Sequence, residues 1–416
     1  MCHRRRVVIS GIGMVTPLGI GQSKVWEAVR RGRSAIGLAR RFDASTLRSQ
    51  LAAEIPAFDL SAFVGPREAR RLDRYSGFAV AAGLLALDDA GLARGDPSIG
   101  GAAVFIGSAL GGIAFGEEQH TRFSRQGMRA VSPTLALAVF GGAGAANLAI
   151  ALGSRGPTSG NASSCASGAV AIGEAFRLIE RGDVDLALAG GAEAPLSPLT
   201  FGAFSVIRVM SARNDEPELA CRPFDAARDG FVMGEGATVL VLESLQRARA
   251  RGRQVYVELG GYGLTNDAWH MAAPRPDGSE AARAMTLAMA DACASPKDVD
   301  YVSAHAAGTV AGDVAEARAI RRALGDHWNR VAVSGTKPLH GHALGATGAM
   351  EIGITAMAMR RGWLPPTKNL TTPGADCELA HVPPSGLIAQ SEVALCNAFG
   401  FGGINTCLLL RRLADD

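Results

Sequence analysis

The stretch GAVAIGEAFRLIERG, residues 168–182, returns in altered form later in the chain. Its counterpart is GAMEIGITAMAMRRG, residues 348–362, and the Gly-Ala, Ile-Gly and Arg-Gly pairs fall in register without gaps. Both stretches carry apolar residues at helical spacing and end in Arg-Gly, a typical stop signal for a helix. The pair predicts two related helices and indicates that the chain contains an internal duplication.

Two further pairs of stretches keep the same order along the chain. LALDDAGLARGD from Leu85 matches LAMADACASPKD from Leu287, and each leads into a strand-like apolar run. GEGATVLVLE from Gly234 matches GGINTCLLLR from Gly402. Short apolar runs alternate with helical patterns, which predicts an α/β fold whose strands are covered by helices.

The three matches together predict two duplicated halves, residues 1–252 and 253–416, which divide near Arg251 to Arg253. Related halves stacked on each other place a cleft at their junction. Ligand sites favour such junctions and the N-termini of helices, so we expect the functional site there.

Composition excludes several classes of function. The 416 residues are 48% hydrophobic and 19% charged, with a net charge of +3, as in a globular enzyme that does not bind nucleic acid. Seven cysteines without a C-x-x-C pair argue against a disulfide framework and structural zinc, and favour a cytoplasmic location. The opening apolar stretch is broken by Gly and Pro, so no secretory signal is predicted.

One long stretch, residues 130–154, carries no charge and could span a bilayer by its length. It is rich in Ala and Gly, includes Pro133 and Asn147, and is the only such stretch. We therefore expect a helix buried inside the protein or between subunits, and no membrane span. The glycine-rich pieces GSALGG and GFGGIN fit neither a dinucleotide fingerprint nor a P-loop, which argues against nucleotide binding.

Cys165 stands in SSCASGA, directly before the first of the two related helices. Backbone N–H groups at a helix start favour a negative charge, so we expect a lowered thiol pKa and a stronger nucleophile. The small neighbours let a substrate come close. A packed core thiol is an equally good reading of this stretch alone, because free cysteine is among the most buried residue types.

Three histidines stand near the ends of predicted elements. His305 follows the strand-like run VDYVSA, and His340 and His342 precede the second related helix. If both helix starts face one cleft, Cys165 and His342 come together although they are far apart in sequence. His340 and His342 lack a third ligand at matching spacing, so we predict no metal site.

Longer motifs identify a resemblance that covers essentially the whole chain, from RRVVISGIGMVTPLG to NAFGFGGINTCLLLRR. The chain resembles the β-ketoacyl-acyl carrier protein synthases of the thiolase superfamily, especially the synthase II type. Its marks are RPFDAARDGFVMGEGA, LAGGAEA, SSCASGA, SGTKPLHGHALGATGAMEIG and NAFGFGGIN. The resemblance implies a thiolase-like fold of duplicated α/β halves in five alternating layers.

The resemblance also implies an acyltransferase that catalyses a decarboxylating Claisen condensation with malonyl-acyl carrier protein, in fatty acid or polyketide biosynthesis. It makes Cys165 the nucleophile, with His305 and His342 as donors that stabilise the enolate. Lys337 would support the histidines, with Glu351 as its ionic partner, and the N–H groups of Cys165 and Phe401 would form the oxyanion hole. The expected substrate-binding residues are Leu110, Thr200, Phe204, Thr309, Phe399 and Phe401, with Phe401 as a gate. The expected supporting residues are Asp313, Glu316 and Glu351. No cofactor is expected, since phosphopantetheine is carried by the partner acyl carrier protein.

Four positions depart from the pattern of that family. Ala307 replaces a threonine that binds phosphopantetheine, so one hydroxyl contact is missing. His340 replaces a threonine, and we expect only a surface or supporting polar contact for it. Thr200 and Phe201 stand where smaller residues are common, which leads to the hypothesis of a short, branched or otherwise unusual acyl chain. Housekeeping fatty acid elongation is a comparable alternative.

Other members of the same fold give alternative functions. A thiolase would need a second cysteine in the glycine-rich loop near residue 401, where none stands. A non-catalytic partner such as a chain-length factor would lack the nucleophilic cysteine. This alternative is favoured only if the change at Ala306 and Ala307 collapses the tunnel that binds phosphopantetheine. The resemblance implies a homodimer, and Arg67, Arg70, Arg71 and Arg74 are candidates for contacting an acidic carrier protein.

Overall fold

The computed structural model describes residues 4–413. Within this range the strands are β1 (Val7–Thr16), β2 (Gly19–Ile20), β3 (Ile36–Leu38), β4 (Leu51–Ala53), β5 (Ala103–Gly107), β6 (Thr158–Asn161), β7 (Leu186–Glu193), β8 (Met233–Gly234), β9 (Gly236–Ser244), β10 (Val257–Asn266), β11 (Tyr301–Ser303), β12 (Ala332–Ser334), β13 (Trp363–Leu364), β14 (Leu387–Ile388), β15 (Val393–Gly400) and β16 (Ile404–Arg411). The helices are α1 (Gln22–Arg30), α2 (Pro66–Ala69), α3 (Arg74–Asp89), α4 (Ile113–Gln126), α5 (Leu135–Ala138), α6 (Ala143–Leu152), α7 (Ser167–Arg181), α8 (Pro198–Val206), α9 (Pro217–Ala220), α10 (Leu245–Ala250), α11 (Ser279–Asp291), α12 (Val310–Leu324), α13 (Lys337–His340) and α14 (Thr347–Arg361).

The main sheet is built from two equivalent sets of five strands. Its order is β12-β11-β15-β16-β10-β1-β9-β7-β5-β6, with β1 and β10 paired antiparallel at the centre. Reading outward from that pair, β9, β7, β5 and β6 repeat the arrangement of β16, β15, β11 and β12. In both sets the two outermost pairings are parallel and the inner ones antiparallel.

Helices cover the two sets of strands and also separate them. Helices α3 and α6 pack on the outer side of the first set, and α11 and α12 on the outer side of the second. Helices α7 and α14 lie between the two sets and contact strands of both. The order helix, sheet, helix, sheet, helix confirms the predicted fold class.

The two central helices cross at small residues. A Cβ atom on Gly168 would lie 2.8 Å from the carbonyl oxygen of Gly345 and 3.0 Å from the Cβ of Ala349. A Cβ on Gly348 would likewise lie 3.0 Å from the Cβ of Ala169. The close approach of α7 and α14 therefore requires the Gly-Ala pair with which each of the two repeated stretches begins.

Both central helices begin and end in the same way. Each is preceded by a 3₁₀ turn, Ser164–Ala166 before α7 and Leu344–Ala346 before α14. The first residue of each turn has a positive φ, 52° at Ser164 and 39° at Leu344, which is costly for a residue with a side chain. The predicted pair of related helices is thus confirmed, and their starts share an unusual backbone conformation.

The charge-free segment 130–154 does not form the single buried helix that we expected. It contains the short helices α5 and α6, separated at Gly141 and Gly142, while Pro133 lies before α5. Ile150 is 75% exposed and Phe140 is 50% exposed, so one side of the segment faces outward. Within residues 4–413, no helix has the length and apolar character needed to cross a membrane.

Candidate active site

The two helix starts and the end of β11 bring three predicted residues to one cavity. Cys165 lies in the 3₁₀ turn before α7, His342 lies just before the equivalent turn of α14, and His305 follows β11. All three line a cavity of about 210 Å³. The rings of His305 and His342 are nearly perpendicular, with centroids 5.4 Å apart. The convergence expected from the repeat is therefore present.

Cys165 is buried in the wall of this cavity. Its Sγ lies 3.9 Å from the hydroxyl of Ser164, and a Cβ on Gly400 would lie 3.0 Å from its backbone nitrogen. Burial raises the pKa of Cys165 to about 11, although Ser164, Lys337 and the backbone N–H of Phe401 each favour the thiolate. The expectation of a lowered pKa was wrong, because the cost of burying a charge exceeds the benefit of the helix start.

The two imidazoles are held neutral. Burial lowers the pKa of His305 and of His342 well below the usual range, and the nearby Lys337 charge lowers both further. The Nδ1 of His342 lies 3.0 Å from the Thr347 hydroxyl. When Thr347 donates to Nδ1, the ring carries its proton on Nε2 and can donate there.

A buried ion pair supports the loop that carries His305. The Nζ of Lys337 lies 2.7 Å from Oε1 of Glu351, which is the ionic partner expected for it. The same Nζ donates to the backbone carbonyl of His305. Burial raises the pKa of Glu351 to about 7, and the Lys337 charge opposes that rise. Lys337 thus links the position of His305 to α14.

Two further predicted supporting carboxylates bind backbone N–H groups around His305. Glu316 accepts from the N–H groups of His305 and Ala306, at 2.7 Å each, and from the Asn397 amide at 3.1 Å. Asp313 accepts from the N–H of Gly308 at 3.0 Å and of Phe224 at 2.7 Å. Burial raises the pKa of both carboxyls, that of Asp313 to about 7. Together they fix residues 305–308 from two sides.

Four of the predicted substrate-binding residues line the cavity, namely Phe204, Thr309, Phe399 and Phe401. Phe204 and Phe401 stack with ring centroids 6.1 Å apart, which closes one side of the space beside Cys165. Leu110 lies outside the cavity wall but packs in the same apolar cluster as Cys165.

Thr200 was expected to bind substrate, but the structure places it outside this cavity. Thr200 lies near the start of α8, and its backbone N–H donates to the carboxylate of Glu117 in α4. The neighbouring Phe201 is fully buried, packs against Phe42 with ring centroids 5.2 Å apart, and belongs to the apolar cluster of Cys165. Phe201, and not Thr200, is therefore the bulky residue that shares an apolar cluster with Cys165.

The loop that departs from the family pattern leaves the cavity open. Ala307 lines it together with Thr309, and Ala272, Ala273 and Ala311 line the wall beside them. Ala306 is fully buried with a φ of 44°. The tunnel to Cys165 has therefore not collapsed.

His340 is not at the surface, contrary to one of the two environments we expected. It is fully buried, with Nε2 2.9 Å from the Thr336 hydroxyl and Nδ1 2.8 Å from the carbonyl of Gly341. Burial lowers the pKa of His340 to about 3. Among residues 4–413, no group of three or more His, Cys, Asp or Glu side chains is arranged to hold a metal ion.

Two residues near the site were missed by the sequence reasoning. Phe231 lines the cavity and meets the His342 ring edge-on, with centroids 5.1 Å apart. Glu193 is fully buried and binds Gly345 at the start of α14. Its signal in the sequence is a carboxylate at the end of the otherwise uncharged run LALAGGAE.

The arrangement is suited to acyl transfer and carbanion chemistry. A buried thiol faces two neutral imidazoles, and the backbone N–H groups of Cys165 and Phe401 lie beside it. Donors fixed in a water-poor cavity stabilise an oxyanion or enolate strongly, because they need no reorganisation. The cavity is narrow and mostly apolar, which suits a slender thioester arm.

Comparisons with known proteins agree with this geometry. Residues 4–248 match the family model for the beta-ketoacyl synthase N-terminal domain, and residues 256–371 match that for the C-terminal domain. The 3-oxoacyl-[acyl-carrier-protein] synthase 2 of Synechocystis is 41% identical over 410 residues, covering 99% of each chain. That of Vibrio harveyi is 40% identical over 413 residues, covering 99% of this chain and 100% of the other.

Solved structures show the same fold over the whole chain. A beta-ketoacyl synthase from Burkholderia phymatum is 38% identical with a TM-score of 0.91, and 99% of this chain and 100% of that chain are covered. A type II polyketide ketosynthase in complex with its acyl-carrier protein is 31% identical with a TM-score of 0.91 and the same coverage. The chain belongs to the beta-ketoacyl synthase family.

Proposed function

We propose that this protein catalyses the decarboxylating Claisen condensation of an enzyme-bound acyl group with malonyl-acyl carrier protein, giving 3-oxoacyl-acyl carrier protein. The observation that carries the proposal is the convergence of Cys165, His305 and His342 on one narrow cavity. The names of the relatives, 3-oxoacyl-[acyl-carrier-protein] synthase 2, support the same acyltransferase reaction in fatty acid biosynthesis.

In the first half-reaction the Cys165 sulfur attacks the thioester carbonyl of an acyl-carrier protein. The thiol proton leaves as the new carbon–sulfur bond forms, and the carrier thiol departs with a proton. The N–H groups of Cys165 and Phe401 would hold the tetrahedral oxyanion. Stacking of Phe401 on Phe204 closes the space beside the sulfur and would have to open to admit the acyl chain.

In the second half-reaction malonyl-carrier protein enters the emptied arm of the tunnel. Its carboxylate leaves as carbon dioxide, and the electron pair forms an enolate whose oxygen accepts hydrogen bonds from His305 and His342. The enolate carbon then attacks the acyl-cysteine, forming the new carbon–carbon bond and returning the Cys165 thiolate. No cofactor of the enzyme's own is required, because the carrier protein supplies the phosphopantetheine and the departing carboxylate supplies the carbanion.

The partner is an acyl carrier protein. A structural neighbour is described as a ketosynthase in complex with its acyl-carrier protein, which supports this choice. Arg67, Arg70 and Arg71 are exposed and form no ion pair within residues 4–413, so they are free to meet an acidic carrier. Arg74 is a weaker candidate, because it is bound to Glu235 at 2.7 Å.

The active form is a homodimer in the cytoplasm, built from chains with domains 1–252 and 253–416. Supporting the dimer, Leu137, Phe140 and Ile150 expose apolar side chains beside β6, the exposed edge strand of the main sheet. An exposed edge strand and an apolar patch are features that proteins normally cover. The dimer would contribute to each acyl pocket, and a fully active monomer would contradict this.

The alternative of a non-catalytic chain-length-factor-like partner finds no support in the cavity. That reading required the Ala306-Ala307 change to close the tunnel, yet Ala307 lines an open cavity that reaches Cys165. The natural acyl chain stays a hypothesis. The hypothesis of a short, branched or otherwise unusual chain is supported only by the place of Phe201 in the same apolar cluster as Cys165, since Phe201 does not line the cavity.

The test measures carbon dioxide release and 3-oxoacyl product from acyl-carrier and malonyl-carrier proteins, for the wild type, C165A and H342A. We expect product only from the wild type. C165A should still release carbon dioxide, because the imidazoles are intact, whereas H342A should release at least about tenfold less. A wild-type protein that neither decarboxylates malonyl-carrier protein nor forms product is a scaffold, and the proposed function is then wrong.

A further inference from the structure

The duplication creates a second helix start that is equivalent to the one holding Cys165. In the gapless repeat Gly345 takes the place of Cys165, within a 3₁₀ turn of the same shape. No side chain fits there, because a Cβ on Gly345 would lie 2.4 Å from the backbone nitrogen of Ala109. The N–H of Gly345 is therefore the counterpart of the Cys165 N–H, a donor we assign to the oxyanion hole.

The strands that end beside these two helix starts differ at one equivalent position. Glu193 ends β7 opposite Gly236, and Gly400 ends β15 opposite Ile404. Gly236 and Ile404 are themselves equivalent in the repeat. Glu193 therefore occupies in one half the place that Gly400 occupies in the other. Gly400 leaves the space above the Cys165 N–H open, since even a Cβ there would come within 3.0 Å of that nitrogen.

Glu193 fills the equivalent space with a carboxylate. It accepts hydrogen bonds from the N–H groups of Gly345 at 3.0 Å, Ala109 at 2.7 Å and Leu110 at 3.1 Å. It also accepts from the hydroxyl of Ser108 at 2.9 Å, the residue that directly follows β5. These four donors are neutral, and Glu193 has no ion pair within residues 4–413. Four donors converging on one carboxylate form an anion-binding nest.

We propose that the fold contains a second oxyanion pocket, occupied by the carboxyl group of Glu193, and that Glu193 is a positioning residue for the acyl pocket. Two of its four donors adjoin apolar residues beside the nucleophile. The backbone N–H of Leu110 itself donates to Glu193. The second donor, Gly345, directly follows Leu344, which lines the cavity. Both leucines belong to the apolar cluster of Cys165. Glu193 thus sets the distance between the end of β5 and the start of α14, where an acyl chain must fit.

The first experiment needs no catalysis and so does not depend on the proposed function. E193G removes the carboxylate and leaves the nest empty, and the variant is refolded in sodium formate or in sodium chloride of equal ionic strength. We expect Tm to fall by roughly 5 °C in chloride, because several buried donors lose their acceptor, and to recover at least half of that loss in formate. The matched control is E243G, which removes a carboxylate bound by Arg247 and Arg251, far from the cavity.

The control should lose stability without recovering in formate, because its arginine partners are 21% and 22% exposed and keep contact with solvent as an alternative. An E193G protein that melts within one degree of the wild type, or one that formate leaves unchanged, would overturn the proposal.

The second experiment rests on the proposed function and uses E193Q, which keeps the shape but turns an amide N–H towards N–H donors. Rates of Cys165 acylation are compared for acetyl- and octanoyl-carrier proteins. A positioning role predicts that the rate falls roughly fivefold more for octanoyl than for acetyl, since the longer chain uses the displaced leucines. An equal fall for both chains would contradict it, because a smaller folded fraction affects both alike. Failure of the wild type to accept either chain refutes the proposed function and leaves the formate result standing.

Discussion

At the scale of single residues, the protonation of Cys165 is governed by burial more than by its helix. The start of α7 favours a thiolate, but burial raises the pKa of Cys165 to about 11. His305 and His342 are neutral for the same reason, with pKa values held well below their usual range by burial and by Lys337. Attack on a thioester therefore starts from a thiol, and the proton must leave during the reaction.

This state of the thiol gives a pH prediction. Alkylation of Cys165 by iodoacetamide should accelerate about tenfold per pH unit from pH 7 to 9 without a plateau, because the thiolate fraction rises throughout that range. Mass spectrometry of the peptide containing Cys165 measures the rate, and the exposed Cys293 in the same digest serves as an internal reference. A plateau reached below pH 8 would mean that the helix start outweighs burial.

Ala307 gives a prediction about the thioester arm. Replacing it with threonine restores a hydroxyl at the cavity wall, and one such hydrogen bond contributes about 1 kcal/mol, or roughly fivefold. A307T should therefore lower KM for the acyl-carrier substrate with little change in kcat. A307V has the same shape without the hydroxyl and should not lower KM. If both variants behave alike, the missing hydroxyl has no role in recognition.

At the scale of elements, the approach of α7 to α14 holds the two halves of the active site together. G168A should destabilise the protein by about 1–3 kcal/mol, since the new Cβ would lie 2.8 Å from the carbonyl of Gly345 and force the helix starts apart. Acylation of Cys165 should slow as well. G353A in the same helix layer is the control, because its Cβ would meet only side chains, the nearest at 3.4 Å. Equal stability of the two variants, measured by urea unfolding, would refute the tight crossing.

A second connection between elements is made by Asp225, in the segment before β8, which accepts hydrogen bonds from backbone N–H groups in the segment after β13. Burial alone would raise the pKa of Asp225, but the N–H groups of Thr371, Ala227 and Thr372, with the Arg222 guanidinium, hold it well below its usual range. Because the folded pKa lies below the unfolded value, its stabilising contribution is present above about pH 4 and is lost as the pH falls further.

D225N should therefore lower Tm at pH 7, and the deficit should begin to shrink only below about pH 4, so that most of it remains at pH 3. The exposed Asp376, paired only with Arg318, supplies the control D376N, for which we expect a small effect at both values. A D225N deficit that has already vanished at pH 4, or one that does not decrease at all below pH 3, would contradict a charge-dependent connection.

At the scale of the whole molecule, much of the architecture was visible in the repeats. The gapless match of residues 168–182 with 348–362 predicted two equivalent helices, and hence the meeting of Cys165 with His342. Spacing carries that information because equivalent helices in a duplicated fold must begin at equivalent places. The broken segment 130–154 was missed because composition shows the absence of charge but not where glycine pairs end a helix.

Other features depend on how deeply a side chain is buried, which the local sequence does not reveal. The direction of the Cys165 pKa shift and the burial of His340 follow from how much protein lies above each group. Thr200 was assigned to the cavity from the family resemblance, yet α8 turns it towards Glu117 and turns Phe201 inward. Glu193 belongs to the motif LAGGAEA, but its equivalence to Gly400 follows from the strand pairing, which the sequence does not show.

The central claim is that two related halves bring one thiol and two imidazoles to a single buried point where carbon–carbon bonds are made. Its most direct test is the intact mass of the protein after incubation with an acyl-carrier protein, with the modified residue located by fragmentation, followed by malonyl-carrier protein. We predict one acyl group on Cys165, which disappears as carbon dioxide and 3-oxoacyl-carrier protein are formed. An unmodified Cys165, or an acyl group that malonyl-carrier protein does not remove, would contradict the account.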